Sequence, residues 1–231
     1  MAVTNPPILY SQLSLCGWLA RSRAKAVDLT LRRIGAKLLT GGRGRAKQLR
    51  RPPDLAQESY METLEAIHTR RSIRKYTDQA ITPEVLDQIL AAAMMAPSAR
   101  NEQAWQFVVV RNRDTLAALS KTSPYATMTE HAAAAIVVCG DTQRETVANL
   151  NYWVIDCSAA TQNILLAAHA LGLGAVWTAV YPRAERIAAL RQVLPLPDHI
   201  IPLCLVPLGY PAETKGPADR FDRERIHSEK W

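Results

Sequence analysis

From residue 61 onward the apolar positions fall into short blocks separated by regular punctuation. Leu64 and Ile67 recur at helical spacing within Met61–Thr69, a short helix that runs into an arginine pair. Thr82-Pro83-Glu84 reads as a helix start, with a hydroxyl N-cap, a proline at the first helical position and an acid in the first turn. The spacing predicts a helix to about Met95 with Val85, Ile89, Leu90 and Ala93 inward, stopped by Pro97. Trp105–Val110 and Ala135–Gly140 are continuous apolar runs of strand length. Asn149–Leu171 is a long, largely apolar helix, and Gly172 and Gly174 supply its C-terminal stop. Ala175–Ala179 reads as a strand, Arg183–Val193 as a helix, and Ile200–Leu208 as a last strand ending at Gly209. Helices and strands mix without strict βαβ alternation, so the pattern predicts an α+β fold rather than a doubly wound sheet.

The first 60 residues read differently. An apolar-polar stretch from Ile8 to Ala20 precedes an amphipathic, Arg-rich pattern on Val27, Leu29, Leu31, Ile34, Leu38 and Leu39. Gly41-Gly42-Arg43-Gly44-Arg45 and Arg50-Arg51-Pro52-Pro53 then read as a flexible linker. The net charge of +7 is concentrated here: eleven Arg and Lys against three acids give +8, leaving 17 basic against 18 acidic residues, or −1, for 61–231. The expected organisation is a basic N-terminal extension, residues 1–60, amphipathic or poorly ordered, before one domain at 61–231. No apolar run reaches the roughly 18–20 residues of a membrane span, and charges follow the apolar stretch rather than precede it, unlike a signal peptide. Three readings of the extension stay open: a surface-binding amphipathic helix, a nucleic-acid-attracting arm, or an appendage without a specific role, the last being favoured. Membrane contact through residues 1–60 is thus an open but disfavoured expectation, and specific nucleic-acid binding is not expected. Cys16, Cys139, Cys157 and Cys204 form no CxxC or Cys/His cluster, which predicts neither a disulfide framework nor a metal site, and a reducing cytoplasm as the location.

Two segments carry candidate chemistry. Arg70-Arg71-Ser72-Ile73-Arg74-Lys75-Tyr76 sets four cations and a hydroxyl within six residues. In an extended strand Arg70, Ser72 and Arg74 share one side, and Arg71, Ile73 and Lys75 the other. Two guanidiniums and a hydroxyl on one wall suit a phosphate monoester, although such a run by itself is usually solvated surface. Ala96-Pro97-Ser98-Ala99-Arg100-Asn101-Glu102-Gln103-Ala104-Trp105 turns from a helix into an apolar strand. Ser98, Asn101 and Gln103 suit ribityl hydroxyls or the uracil-like edge of a flavin, and equally an ordinary turn.

In this order and spacing the two segments resemble the nitroreductase family, with its RRSxRxY segment and APSxxNxQPW-like loop. Asn151–Ala168 resembles its long central helix, Gly172–Pro182 its flavin-facing strand, and Pro207–Pro211 with Asp219–Arg223 and His227–Trp231 its C-terminal tail. The likeness covers 171 of 231 residues and leaves out the extension. It implies an α+β nitroreductase-like fold, a central mainly antiparallel sheet flanked by helices in an intertwined homodimer. It further implies FMN as cofactor, NADH or NADPH as reductant, and a small electron-poor acceptor, whether nitroaromatic, quinone or enone, reduced in ping-pong fashion. By the same resemblance Arg70, Arg71 and Ser72 would hold the phosphate and ribityl chain, with Arg220, and Arg223 or Lys215 beside it, completing the clamp. Arg74 would lie near flavin N1 and O2. Pro97, Ser98, Ala99, Asn101 and Gln103 would reach the flavin held mainly by the partner subunit, and Trp177, Thr178 and Ala179 would line the N5 side. The sequence departs at Ala104, where proline is frequent, and at Ala179, where glycine is common.

No nucleophile elbow, P-loop, GxGxxG or metal cluster is present, so no side chain is expected as a catalytic acid, base or nucleophile; the cofactor carries the chemistry. Asp156 reads as a helix-cap or ion-pair partner and His169 as a partly buried core histidine. The alternative is a flavin-binding or membrane- or nucleic-acid-associated module in which the basic N-terminus is the functional part. That reading predicts salt-sensitive partner binding and little NAD(P)H turnover.

Overall fold

The computed structural model describes residues 61–146 and 150–231. The chain divides into Met1–Ala56 and Gln57–Trp231, and the described residues belong to the second unit. The amphipathic pattern and linker expected before residue 61 lie outside them, as does Asn149.

Helix α1 spans Thr63–Thr69 and α2 Pro83–Met94, where the Thr82 hydroxyl accepts from the Val85 N–H as its cap predicts. On α2 the expected Ile89 and Ala93 are fully buried and Val85 and Leu90 pack half-buried against the same core, while Leu86, not named by the spacing, joins the buried face. Strand β1 is Trp105–Val110 and β2 Ala134–Asp141. Between them lies a helix the apolar spacing does not predict, α3 at Arg113–Ser120, capped by the Asn112 side chain on the Thr115 N–H at 2.9 Å. Helix α4 runs from Tyr152 to Ala170 and α5 from Ala184 to Val193. The expected strand Ala175–Ala179 is broken into β3, Gly174–Ala175, and β4, Thr178–Ala179, before β5 at Ile200–Gly209.

The sheet is antiparallel in order β1-β2-β5-β3, with β4 also on β5. Strand β2 is apolar up to its last residue, Asp141, because both faces are covered. Ala134, Ile136 and Val138 meet the α2 and α4 layer with Ile89, Trp153 and Ile164, whereas Ala135, Val137 and Cys139 meet Leu116, Leu119 and Leu190. The fold is therefore α+β, an antiparallel sheet between helices.

Glycines divide their work at the end of α4. Gly172, at φ +77°, takes the left-handed position; its N–H reaches the His169 carbonyl and that of Leu173 the Ala168 carbonyl, a Schellman stop. Gly174 is no part of that stop. A Cβ there would lie 2.5 Å from the Ile73 side chain, so its glycine lets the Arg70–Tyr76 segment pack onto the sheet.

Candidate flavin site

The Arg70–Tyr76 segment lies extended along the sheet edge. Ser72 bridges Ala175 in parallel, the Ile73 N–H donates to the Ala175 carbonyl at 3.0 Å, and Tyr76 bridges Pro211. Ile73 is buried and works as the peg that fixes the alternation of its neighbours. Tyr76 hydroxyl donates to the Ile73 carbonyl at 2.8 Å, and burial pushes its phenol well above the usual value. A residue the sequence reading missed completes the frame. Glu213 accepts from the Arg74 N–H at 2.6 Å and the Lys75 N–H at 3.3 Å. These bonds and nearby Lys215 hold its carboxyl below the usual range. Lys215 in turn donates to the Ser72 carbonyl at 2.7 Å.

The expected cations part company. Arg71 spends its guanidinium on backbone, reaching the carbonyls of Gly216, His68 and Arg70 at 3.0, 2.8 and 2.8 Å. It clips the tail to the segment. Arg70 turns elsewhere: partial burial first, then Arg220, then Arg71, push its guanidinium below its ordinary value. His169 is depressed by burial and by the same Arg70 and Arg71, while its Nε2 lies 2.8 Å from the Thr69 hydroxyl. Among the described residues no carboxylate pairs with Arg70 or Arg220. A partly desolvated guanidinium with like charges nearby is unfavourable unless an anion joins them, so this corner fits a phosphate dianion. Arg223 lies in a separate three-ten turn, Arg223–Arg225, and no described contact ties it to the cluster.

Further along, Arg74 faces a cavity of about 460 Å³ with Trp177, Thr178 and Ala179, residues more than a hundred positions away in the chain. Thr178 is buried and its Oγ1 has no hydrogen-bond partner. An unpartnered hydroxyl in a cavity wall suits a polar ligand edge. Ala179 is exposed and keeps a negative φ, so its methyl causes no backbone strain. Tyr125, Thr127, Met128 and Arg186 share the lining, and the sequence reading named none of them. Their only local signal is the Ser123-Pro124-Tyr125 turn. Together, the cation corner and the polar cavity at opposite ends of one extended segment fit FMN.

The Pro97–Gln103 loop is tightly organised and lines neither place. Arg100, Asn101 and Gln103 all have positive φ, the left-handed region that L-residues avoid. The loop is held by the Gln103 N–H on Ser98 Oγ, by Gln103 Nε2 on Asn101 Oδ1, and by the Ala99 N–H on Asp156 Oδ1, each at 3.0 Å. Asp156 is thus a cap, as expected, but for the three-ten turn Ala99–Asn101 rather than for its own helix. Burial raises its carboxyl, and its Oδ2 is unpartnered. Among the described residues no group of three His, Cys, Asp or Glu is arranged to hold a metal, and no helix is long and apolar enough to cross a membrane.

Comparison with known proteins bears on the family and the fold. The model of the nitroreductase family matches residues 67–123 and 121–210. A Methanothermobacter thermautotrophicus protein, provisionally named NADH dehydrogenase/NAD(P)H nitroreductase, is 53% identical over 173 residues, covering 75% of this chain and 90% of its own. A crystal structure under the same provisional name from Parabacteroides distasonis superposes with a TM-score of 0.69 at 46% identity, covering 73% of this chain and 98% of that one. An FMN-dependent nitroreductase from Clostridium difficile gives 0.68 at 31% identity, covering 73% and 99%. The chain therefore belongs to the nitroreductase family of FMN-dependent, NAD(P)H-oxidising enzymes.

Proposed function

We propose that this protein oxidises NAD(P)H and reduces an electron-poor acceptor, a nitroaromatic, quinone or enone, with the two substrates alternating in the Arg74–Ala179 cavity. The observation that carries this reading is the partly buried Arg70, with the charge of exposed Arg220 nearby and no carboxylate paired to it among the described residues, joined to that cavity by a single extended segment. Bound FMN would supply the hydride-transferring centre at its N5. The chain's own residues bind and orient. Arg70, Arg220 and Ser72 would hold the phosphate and ribityl end, with Arg71 bracing the segment behind them. Arg74 would place positive charge by N1 and O2, where electron density gathers on reduction. Trp177, Thr178 and Ala179 would wall the reacting edge. The test is the visible spectrum of the purified protein with anaerobic NAD(P)H, followed by initial rates at varied acceptor. Bleaching, then parallel double-reciprocal lines, is expected; a protein that takes up no FMN sinks the reading.

The working unit in this proposal is a homodimer. Large apolar side chains stand in water on one protomer: Leu64 at 70%, Met95 at 81%, Ile155 at 64% and Phe221 at 75% exposure. The outer side of α4 and the adjoining ends of α1 and α2 frame an apolar hollow of about 390 Å³. Such a surface suits an obligate partner. The strained Pro97–Gln103 loop, absent from the lining of its own cavity, would then serve the partner's flavin. In a mixed dimer carrying Asn101→Ala in one subunit and Arg70→Ala in the other, one composite site stays intact. Its activity is expected near half the wild-type value, well above either mutant homodimer; activity no higher than theirs rejects the shared site.

Residues 61–231 are proposed as the self-sufficient flavin domain and 1–60 as a separate appendage. The Met61–Trp231 chain should bind FMN and oxidise NAD(P)H at close to the full-length rate. Loss of flavin or of the dimer on truncation, read by absorbance and by light scattering, would reject that division.

A further inference from the structure

The cavity beside Trp177–Ala179 carries more positive charge than the flavin reading uses. Its lining holds two guanidiniums, Arg74 and Arg186, and no carboxylate. In that reading the FMN phosphate belongs with Arg70 and Arg220, and Arg74 belongs at the flavin pyrimidine edge. Arg186 is left over. It is not a loose surface cation. From the first turn of α5, its Nη1 donates to the Ala179 carbonyl at 2.8 Å, and its guanidinium carbon stands 5.2 Å from the centre of the Tyr125 ring. Both anchors are walls of the same cavity. The neighbouring acid, Glu185, lies 3.7 Å from Arg183, and among the described residues no carboxylate pairs with Arg186.

A guanidinium presents five N–H donors, of which the Ala179 carbonyl uses one. Arginine stacked on an aromatic face is weakly hydrated and pre-oriented, so its remaining fork suits a carboxylate better than a freely moving ammonium would. Around it Tyr125, Met128 and Trp177 offer flat or apolar surface for a planar ring. We propose that this cavity selects electron-poor aromatic acceptors that bear a carboxylate, and that Arg186 is the residue that selects them. The inference rests on the flavin-dependent reading above. The fixed carbonyl belongs to Ala179, the residue proposed at the reacting edge, so the charge would be gripped close to that edge.

The test pairs charged and neutral ligands of one shape on the full-length holoenzyme. Benzoate and benzamide are titrated against the oxidised protein, with the visible flavin spectrum as readout. Wild type should bind benzoate about tenfold to a hundredfold more tightly, the scale of one charge-assisted contact. Arg186→Gln should erase that preference with flavin content unchanged, and Arg186→Lys should keep part of it. In turnover, the ratio of kcat/KM for 4-nitrobenzoate to that for nitrobenzene should fall in Arg186→Gln by a similar factor, mainly through KM. Equal affinities in wild type, an equal loss on both ligands, or loss of FMN from Arg186→Gln would overturn the proposal. A rise confined to the KM for NADPH would also overturn it and assign Arg186 to the reductant's phosphates. A colourless protein, or one that oxidises no NAD(P)H with neutral menadione, rejects the flavin reading and this inference together. A yellow, active protein indifferent to the carboxylate rejects only the inference.

Discussion

Arg70→Ala combined with Arg220→Ala is expected to give a protein that purifies without flavin. A phosphate dianion needs cations to replace its water, and each charge-assisted contact contributes roughly 1.5–3 kcal/mol, or about ten- to a hundredfold in affinity. Removing both should raise the FMN Kd by roughly two to four orders of magnitude if the contacts act independently. The flavin-free protein should lose little stability, because partial burial and Arg220 already disfavour the charge on Arg70. Arg71→Ala should behave the other way round. Its guanidinium joins three backbone carbonyls, so melting temperature should suffer more than flavin affinity. Fluorescence titration of FMN into the stripped proteins measures the first effect and thermal unfolding the second. A double variant that holds FMN as tightly as wild type would remove the phosphate from this corner.

The second large effect concerns the support of the site. Trp153 is 1% exposed at the start of α4. Its indole lies over Gly140, where a Cβ would come within 2.2 Å of the ring, and it meets Tyr181 edge-on at 4.9 Å. Trp153→Ala should cost about 3–5 kcal/mol, the usual price of emptying a core aromatic site. Against a typical total of roughly 5–15 kcal/mol, that leaves the domain near its limit. Gly140→Ala attacks the same contact from the other side; overpacking there should cost about 1–3 kcal/mol. Both changes should also loosen the Pro97–Gln103 loop, since Asp156, three residues beyond Trp153, holds the Ala99 N–H. Chemical denaturation measures the stabilities. Two variants within about 0.5 kcal/mol of wild type, the range of ordinary surface substitutions, would contradict the packing argument.

Thr82-Pro83, Gly172 and the apolar run Ala135–Gly140 were legible because caps, left-handed turns and buried strands depend on backbone sterics and hydrogen bonds within a few residues. The same holds for the extended Arg70–Tyr76 segment, whose alternation follows from a two-residue period. Helix α3 escaped because charged residues open it and its cap, Asn112, precedes no strong apolar stripe. The strand expected at Ala175–Ala179 split because pairing with β5, not local propensity, decides where β3 and β4 form. At the site, residue types were readable while partnerships were not. Arg70 and Arg71 look alike in the sequence, yet one is partly buried with the Arg220 charge nearby and the other is consumed by carbonyls. Glu213 beneath Arg74, and Tyr125 against Arg186, meet across dozens of residues or more, at distances that no local pattern encodes. By itself, the sequence determined most of the elements, the family resemblance and the pool of cations. Only the tertiary structure decided which cation is left without a carboxylate at the start of the segment, which braces that segment and which remains in the cavity, because packing assigns each side chain its neighbours.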